Sequence, residues 1–153
     1  NQYAAGIDSF YSSTDNNFFI TGVQMEVGPV ATDFEQEDIS TTLAKCQRYF
    51  QRLEGSNSGI MNHHNRTTTA KYGVIHHVTT FRADPTLSVS SLSDFTTYVA
   101  GTSATPSNFT RQGTTGQSTE MYINTASGSG SEGQAGWLRL NSSSGYMDFD
   151  AEL

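Results

Sequence analysis

Cysteine, charge and long apolar runs are all scarce in this chain of 153 residues. The only cysteine, Cys46, has no partner for an internal disulfide. Because nothing nearby supplies an activating base, we expect a small buried hydrophobe there rather than a catalytic thiol. No stretch approaches the roughly 20 apolar residues that a membrane-spanning helix needs, so membrane insertion is not expected. Residues 1–17 lack the basic start and apolar core of a signal peptide.

Charged residues make up only 15% of the chain, below the roughly 25% of an average soluble protein. Their formal sum is −7, which argues against nucleic acid and anionic membranes as partners, because both attract Lys and Arg. Hydroxyl and amide side chains replace the charges, which suits exposed proteins and sugar binding. Composition alone favours a plain soluble β-protein. The chain starts at Asn1 without Met, so we expect a fragment of a longer protein.

The segment from residue 18 to residue 27 alternates aromatic and β-branched residues with a period of two. This alternation predicts a strand, and Gly28-Pro29 would end it because proline donates no hydrogen bond to a sheet. We interpret residues 1–30 as the terminal strand or hairpin of a preceding domain.

Residues 31–55 are predicted to form a connector followed by an amphipathic helix. Acidic residues just before Ile39 favour a helix start there. Apolar residues then recur at alternating spacings of four and three, namely Ile39, Leu43, Cys46, Phe50 and Leu53. The helix is expected to break near Arg48, because the sequence RYFQRL also fits a strand. The apolar stripe fits either a helix lying on its own sheet or several copies meeting on a three-fold axis.

Residues 56–153 are predicted to form a β-sandwich. A loop rich in Gly and Asn is expected over 55–67. Strand patterns separated by turn-forming clusters follow, at 68–80, 86–90, 94–99, 107–111, 118–124, 135–140 and 146–151. This spacing is typical of sandwiches and barrels. The expected fold is all-β with one short helix: an antiparallel β-sandwich of the jelly-roll type.

Several segments resemble the C-terminal module of tail fibre and tailspike proteins of tailed bacteriophages. They are ITGVQMEVG at 20–28, CQRYF at 46–50, FRADPT at 81–86, GQAG at 133–136, GYMDF at 145–149 and the final AEL. The family pattern runs ITGVQLEVG, then an acidic helix ending in LCQRYY. The matches extend over nearly the whole chain from residue 18, and the chain departs from the pattern at Lys45, at Asp84 and in its pairs of histidines.

The resemblance implies a receptor-binding module of a virion, extracellular and used for host attachment. It implies a homotrimer, with Ile39, Leu43, Cys46 and Phe50 at the interface, joined to upstream tail fibre domains. The expected ligand is a bacterial surface polysaccharide or lipopolysaccharide. Two alternatives stay open: a trimerising cap of the fibre tip without a ligand, and, more weakly, a polysaccharide depolymerase.

The four histidines form two adjacent pairs, His63-His64 and His76-His77. His76 and His77 are neighbours on a predicted strand and point to opposite faces, so together they cannot bind one metal ion. A zinc site would need three or four convergent ligands, and no metal site is predicted. A metal ion on a three-fold axis, bound by one histidine from each chain, stays open as a weaker alternative. We expect two histidines at the surface and one packed between strand faces instead. Residues 128–133 match GxGxxG, but a strand rather than a helix is expected to follow. We interpret this segment as a hairpin loop.

No catalytic site and no cofactor are predicted. A GxSxG nucleophile motif is absent. The acids that would have to form a glycosidase pair are Glu120, Glu132, Asp148 and Asp150. Asp148 and Asp150 share one strand face at a separation compatible with glycosidases or with Ca²⁺. Two solvated carboxylates on an exterior face are the favoured interpretation.

Sugar binding requires an aromatic platform with polar partners for the hydroxyls. Trp137 is expected in the core, because it lies on a central strand between Gly136 and Leu138. The predicted glycan-binding residues are Asn62, His63, His64, Asn65, Arg66, Tyr72, Tyr98, Asn108 and Phe109.

Overall fold

The structure is a computed structural model that describes residues 13–15, 17, 19–30, 32–34 and 36–152. The chain divides into two compact units, Asn1–Glu37 and Asp38–Leu153. Every helix and strand of the described residues lies in the second unit.

The strand predicted over 18–27 is wrong for the described residues 19–27, which form no strand. Phe19, Met25 and Val27 are exposed, and Gly22 has a φ of 67°, which interrupts an extended backbone. A strand needs hydrogen bonds from a neighbour, and none of the strands formed by the described residues pairs with this segment. Phe18 lies outside the described residues.

The helix α1 spans Ile39–Gln47, as the apolar spacing predicts. The carboxylate of Asp38 caps it by accepting a hydrogen bond from the Ser40 amide at 3.0 Å. The helix gives way at Arg48, and a strand starts at Phe50, so the expected break is confirmed. Cys46 is exposed, which corrects the expectation of a buried residue, because α1 leaves its apolar stripe uncovered.

The described residues form ten strands: β1 (Phe50–Glu54), β2 (Ser58–Asn65), β3 (Ala70–His76), β4 (Thr86–Val89), β5 (Phe95–Val99), β6 (Thr102–Ala104), β7 (Pro106–Thr115), β8 (Ser118–Thr125), β9 (Ala135–Leu140) and β10 (Tyr146–Asp150). A short 3-10 helix, Leu92–Asp94, precedes β5. The loop expected over 55–67 is wrong, because β2 occupies most of it. Polar residues on both faces of β2 hide its alternation.

The strands form two antiparallel sheets, one with the order β1-β10-β4 and the other with the order β6-β5-β9-β2-β3-β8-β7. The returning strand β10 pairs with both β1 and β4, and β9 pairs with both β2 and β5. This shared pairing is the jelly-roll pattern, so the predicted all-β sandwich of jelly-roll type is confirmed. β1, which falls in the expected connector and helix region, is an edge strand of the sandwich.

The core lies between the two sheets. Along a strand, mainly every second side chain points into it. In β9, Leu138 and Leu140 are fully buried, whereas Trp137 on the opposite face is 48% exposed. The expectation that Trp137 belongs to the core is therefore wrong. The remaining buried apolar side chains include Phe95, Met121, Ile123, Met147 and Phe149.

Residues 126–134 connect β8 to β9, which are not neighbours, because β3 and β2 lie between them. The predicted hairpin loop is thus a crossover, and no helix follows it. Asn65 holds the crossover in place: its side-chain amide donates to the carbonyls of Ser129 at 2.7 Å and Ser131 at 3.1 Å. The backbone carbonyl of Asn65 accepts from Gly133 at 2.8 Å.

Candidate functional site

The outward side of the seven-stranded sheet carries a band of rings and polar groups. Strand alternation turns these side chains away from the core, since their neighbours in sequence are buried. We call this band the aromatic face. Its members are Asn62, His64, Tyr72, Tyr98, Tyr122 and Trp137.

One row of the aromatic face crosses β5, β9 and β2. Tyr98 pairs with Trp137 across the strands, and Trp137 pairs with Asn62. The rings of Tyr98 and Trp137 stack with centroids 5.5 Å apart and planes only 16° from parallel. The guanidinium of Arg139 lies over the Tyr98 ring at 5.8 Å. The row therefore presents a flat stack beside a primary amide.

The second row crosses β2, β3 and β8. His64 pairs with Tyr72, and Tyr72 pairs with Tyr122. Their rings make edge contacts with centroids 5.4 Å and 5.1 Å apart. Mutual packing limits the rotamers of these rings, so the surface they present is preorganised.

Polar groups surround the second row. Arg66 donates a hydrogen bond to the Tyr122 hydroxyl and lies 5.6 Å from that ring's centre. A hydrogen bond to Glu120, helped by partial burial, raises the pKa of Tyr72. His64, Arg66, Tyr72, Tyr122, Glu120 and Gln112 line an open depression of about 480 Å³. Donors and acceptors thus stand beside aromatic rings, as a ligand rich in hydroxyl groups requires.

Six of the nine predicted glycan-binding residues lie at the surface, and three face inward. Asn62, His64, Tyr72 and Tyr98 belong to the aromatic face, and Arg66 lies at its margin. Asn108 is exposed on β7, where its amide donates to the Thr110 hydroxyl at 3.1 Å.

The other three predicted residues face inward. His63 and Asn65 are 5% and 1% exposed. Phe109 packs against Phe95, with ring centroids 5.0 Å apart. These residues pack on the inner side of the sheet and are not part of the aromatic face.

The predicted set of glycan-binding residues omits four residues of this site, namely Trp137, Tyr122, Glu120 and Gln112. The alternation in β9 carried a usable signal for Trp137: if Leu138 and Leu140 face the core, Trp137 must face outward. No comparable signal identifies Gln112, because a register shift lies between Arg111 and Gly113 in β7.

The inner face of the sheet has a polar end behind the aromatic face. Lys71 is fully buried, and its ammonium donates to the Thr68 carbonyl at 2.8 Å and the Thr125 hydroxyl at 3.3 Å. Burial lowers the pKa of Lys71. Burial, with the Lys71 charge, also lowers the pKa of His63 to about 4. With this lowered pKa the His63 side chain is neutral at pH 7.

The other histidine pair behaves as strand geometry requires. His76 is exposed, whereas the ring of His77 packs against Phe81 and Phe149 and shares a hydrogen bond with Thr119 at 2.9 Å. Within the part of the chain that the structure describes, no three His, Cys, Asp or Glu side chains converge as a metal site would require.

Asp148 and Asp150 are not a pair of solvated carboxylates. Asp148 is 7% exposed and accepts two hydrogen bonds of 2.7 Å from Arg52, which is a bidentate ion pair across β1 and β10. Hydrogen bonding with Asp148 raises the pKa of Arg52. Asp150 accepts from the Glu152 amide at 2.8 Å. These contacts give Asp148 a structural role.

No protein-family model, no curated protein and no solved structure matches this chain. Among the described residues, no helix has the length and apolar character needed to cross a membrane.

Proposed function

We propose that this chain is a carbohydrate-binding module whose ligand is a bacterial surface glycan. The observation that carries the proposal is the aromatic face: stacked and edge-packed rings lie beside amide, imidazole, guanidinium and carboxylate groups. Aromatic rings cover the apolar side of a pyranose, and the polar neighbours can bond its hydroxyls. Because function resides in a site rather than in a fold, the jelly roll itself adds no weight.

The sequence resemblance supports the biological setting of the proposal. The ITGVQMEVG and CQRYF segments resemble phage tail fibre and tailspike modules. In this setting the chain acts in a virion as a receptor-binding homotrimer attached to upstream fibre domains. Its partner is a polysaccharide or lipopolysaccharide of the host.

The proposal is tested on an array of bacterial capsular polysaccharides and lipopolysaccharides. The unchanged chain should bind a defined glycan, and Trp137→Ala and Tyr72→Ala should each weaken binding at least tenfold. Tyr49→Ala is the matched control, because Tyr49 is 43% exposed but lies outside the aromatic face. Binding that survives both aromatic-face variants would move the site elsewhere, and no binding on the array would overturn the proposal.

A structural cap is the second candidate, and the exposed stripe of α1 favours it. On α1, Ile39 and Leu43 are 82% and 55% exposed, and Cys46 is exposed on the same stripe. Phe50, which follows at the start of β1, is 39% exposed. Apolar side chains at helical spacing need a covering surface. A stable trimer by light scattering that binds no glycan would favour this candidate over the first.

A further inference from the structure

The aromatic face holds two groups of rings that are well separated. Tyr98 and Trp137 form the first group, on β5 and β9, and Tyr72 and Tyr122 form the second, on β3 and β8. In the order β9-β2-β3-β8, the outer two strands are separated by three intervals. This is about 14 Å at the usual spacing between strands, and Tyr72, on β3, is two intervals or about 10 Å from the strand of Trp137. A pyranose is one six-membered ring, like that of tyrosine, so a single sugar can cover only one group.

Three adjoining depressions, which we call the groove, lie between the two groups. A first depression of about 450 Å³ has Trp137, Asn62 and Val74 in its lining. A second, of about 320 Å³, shares Asn62 and Val74 with the first and adds His64 and Tyr72. The depression beside Tyr122 shares His64 and Tyr72 with the second. Neighbouring depressions therefore share side chains along the whole way from Trp137 to Tyr122.

The groove exists because β2 and β3 separate. They are paired only where His63–Asn65 meets Lys71–Gly73. Beyond these pairs β2 pairs with β9 and β3 pairs with β8, and residues 58–62 and 74–76 do not pair with each other. Ile60, Met61, Val74 and Ile75 line the opening together with backbone groups that no strand of the described residues occupies. An apolar floor with available backbone donors and acceptors suits a chain of sugar rings.

Building on the proposed function, we propose that the aromatic face binds a linear polysaccharide segment of about three or more rings, matching the ~10 Å from the strand of Trp137 to that of Tyr72 and the ~14 Å to that of Tyr122. The chain of sugars lies across the strands, with one ring on Trp137 and another on Tyr72 and Tyr122. The terminal sugar of a branched glycan would use only one of these groups. The site therefore selects polymer over monosaccharide.

The test uses the polysaccharide that the array returns, cut by partial acid hydrolysis and sized from single sugars to octasaccharides. Affinity is measured by calorimetry and by the emission of Trp137, the only tryptophan, which reports on its own ring group. We expect affinity to rise at least tenfold from disaccharide to tetrasaccharide and then to level off. If the single sugar or disaccharide binds as tightly as the longest fragment, the proposal is overturned while the glycan-binding function stands.

Variants separate the two ring groups. Tyr122→Ala should reduce the affinity for long fragments to that for short ones and leave the response of Trp137 to disaccharide unchanged. Tyr72→Ala should do the same, so loss of folding in one variant does not decide the matter, and Tyr49→Ala is again the control. An unchanged length dependence in both variants would contradict the proposal. If no fragment and no polysaccharide binds the unchanged chain, the proposed function fails as well.

Discussion

At the scale of single residues, the polar end of the core makes stability sensitive to acid. His63 is buried beside the charge of Lys71, and its pKa falls from 6.5 to about 4. Above pH 6.5 the imidazole is neutral in both folded and unfolded chains and adds no pH dependence. Between pH 6.5 and 4 only the unfolded chain takes up the proton, so acid favours unfolding.

We predict that His63 alone lowers the free energy of unfolding by up to about 3 kcal/mol over this interval. Burial and neighbouring His76 lower the pKa of His77 and add in the same direction. Urea unfolding at a series of pH values measures the slope, and His63→Leu should flatten it. His64→Gln, an exposed change on the same strand, is the control. A slope that His63→Leu leaves unchanged would assign the acid sensitivity to other groups.

Asn65 is predicted to matter for stability rather than for ligand contact. Asn65→Ala removes the donors to two carbonyls of the crossover, and we expect a loss of roughly 2–4 kcal/mol because buried acceptors are left without partners. Asn62→Ala, an exposed change on the same strand, should cost less than about 0.5 kcal/mol. Chemical unfolding measures both. Equal losses in the two variants would show that the crossover does not depend on the Asn65 amide.

At the scale of secondary-structure elements, apolar alternation decided what the sequence could predict. β4, β5, β9 and β10 follow predicted segments closely because one face of each is apolar. β2 was missed because His63 and Asn65, which are polar, occupy its buried face. The converse error occurred at 19–27, where alternation is strong but no neighbouring strand completes the hydrogen bonds.

The candidate site, like the strands, could be predicted from the sequence only in part. Residue type identified the tyrosines and amides, and four predicted residues do share the aromatic face. The alternation of side chains along each strand then decides whether a given side chain lies on the aromatic face or in the core. His63 and His64 are adjacent and chemically identical, yet one is buried and one exposed. The register of β2 in the sheet determines which of the two faces the core, and residue type alone does not contain that information.

The helix α1 carries the prediction on assembly. Its nine residues are too few for an isolated helix to be stable in water, and its apolar stripe is uncovered. If three copies cover this stripe, Leu43→Glu should convert a trimer to a monomer without unfolding the sandwich. Thr41→Glu, on the same helix but outside the stripe, is the control. Light-scattering mass decides, and an unchanged mass for Leu43→Glu would remove α1 from the interface.

At the scale of the whole molecule, assembly and binding should act together. The proposed homotrimer would present three aromatic faces, and once one had bound a polymer the others would bind at a high effective concentration. We therefore predict that Leu43→Glu leaves the affinity for an isolated tetrasaccharide unchanged but weakens binding to intact polysaccharide by roughly 10²–10⁴-fold. Surface plasmon resonance on immobilised polysaccharide, with soluble tetrasaccharide as competitor, measures both quantities.

The paired variants make this prediction specific. Trp137→Ala should weaken binding to the tetrasaccharide and the polymer alike, because it damages each face, whereas Leu43→Glu should affect the polymer alone. Thr41→Glu should change neither. If Leu43→Glu produces a monomer that still binds the polymer as tightly as the unchanged chain, each face acts independently. Attachment strength would then reside in the length of the groove rather than in the number of copies.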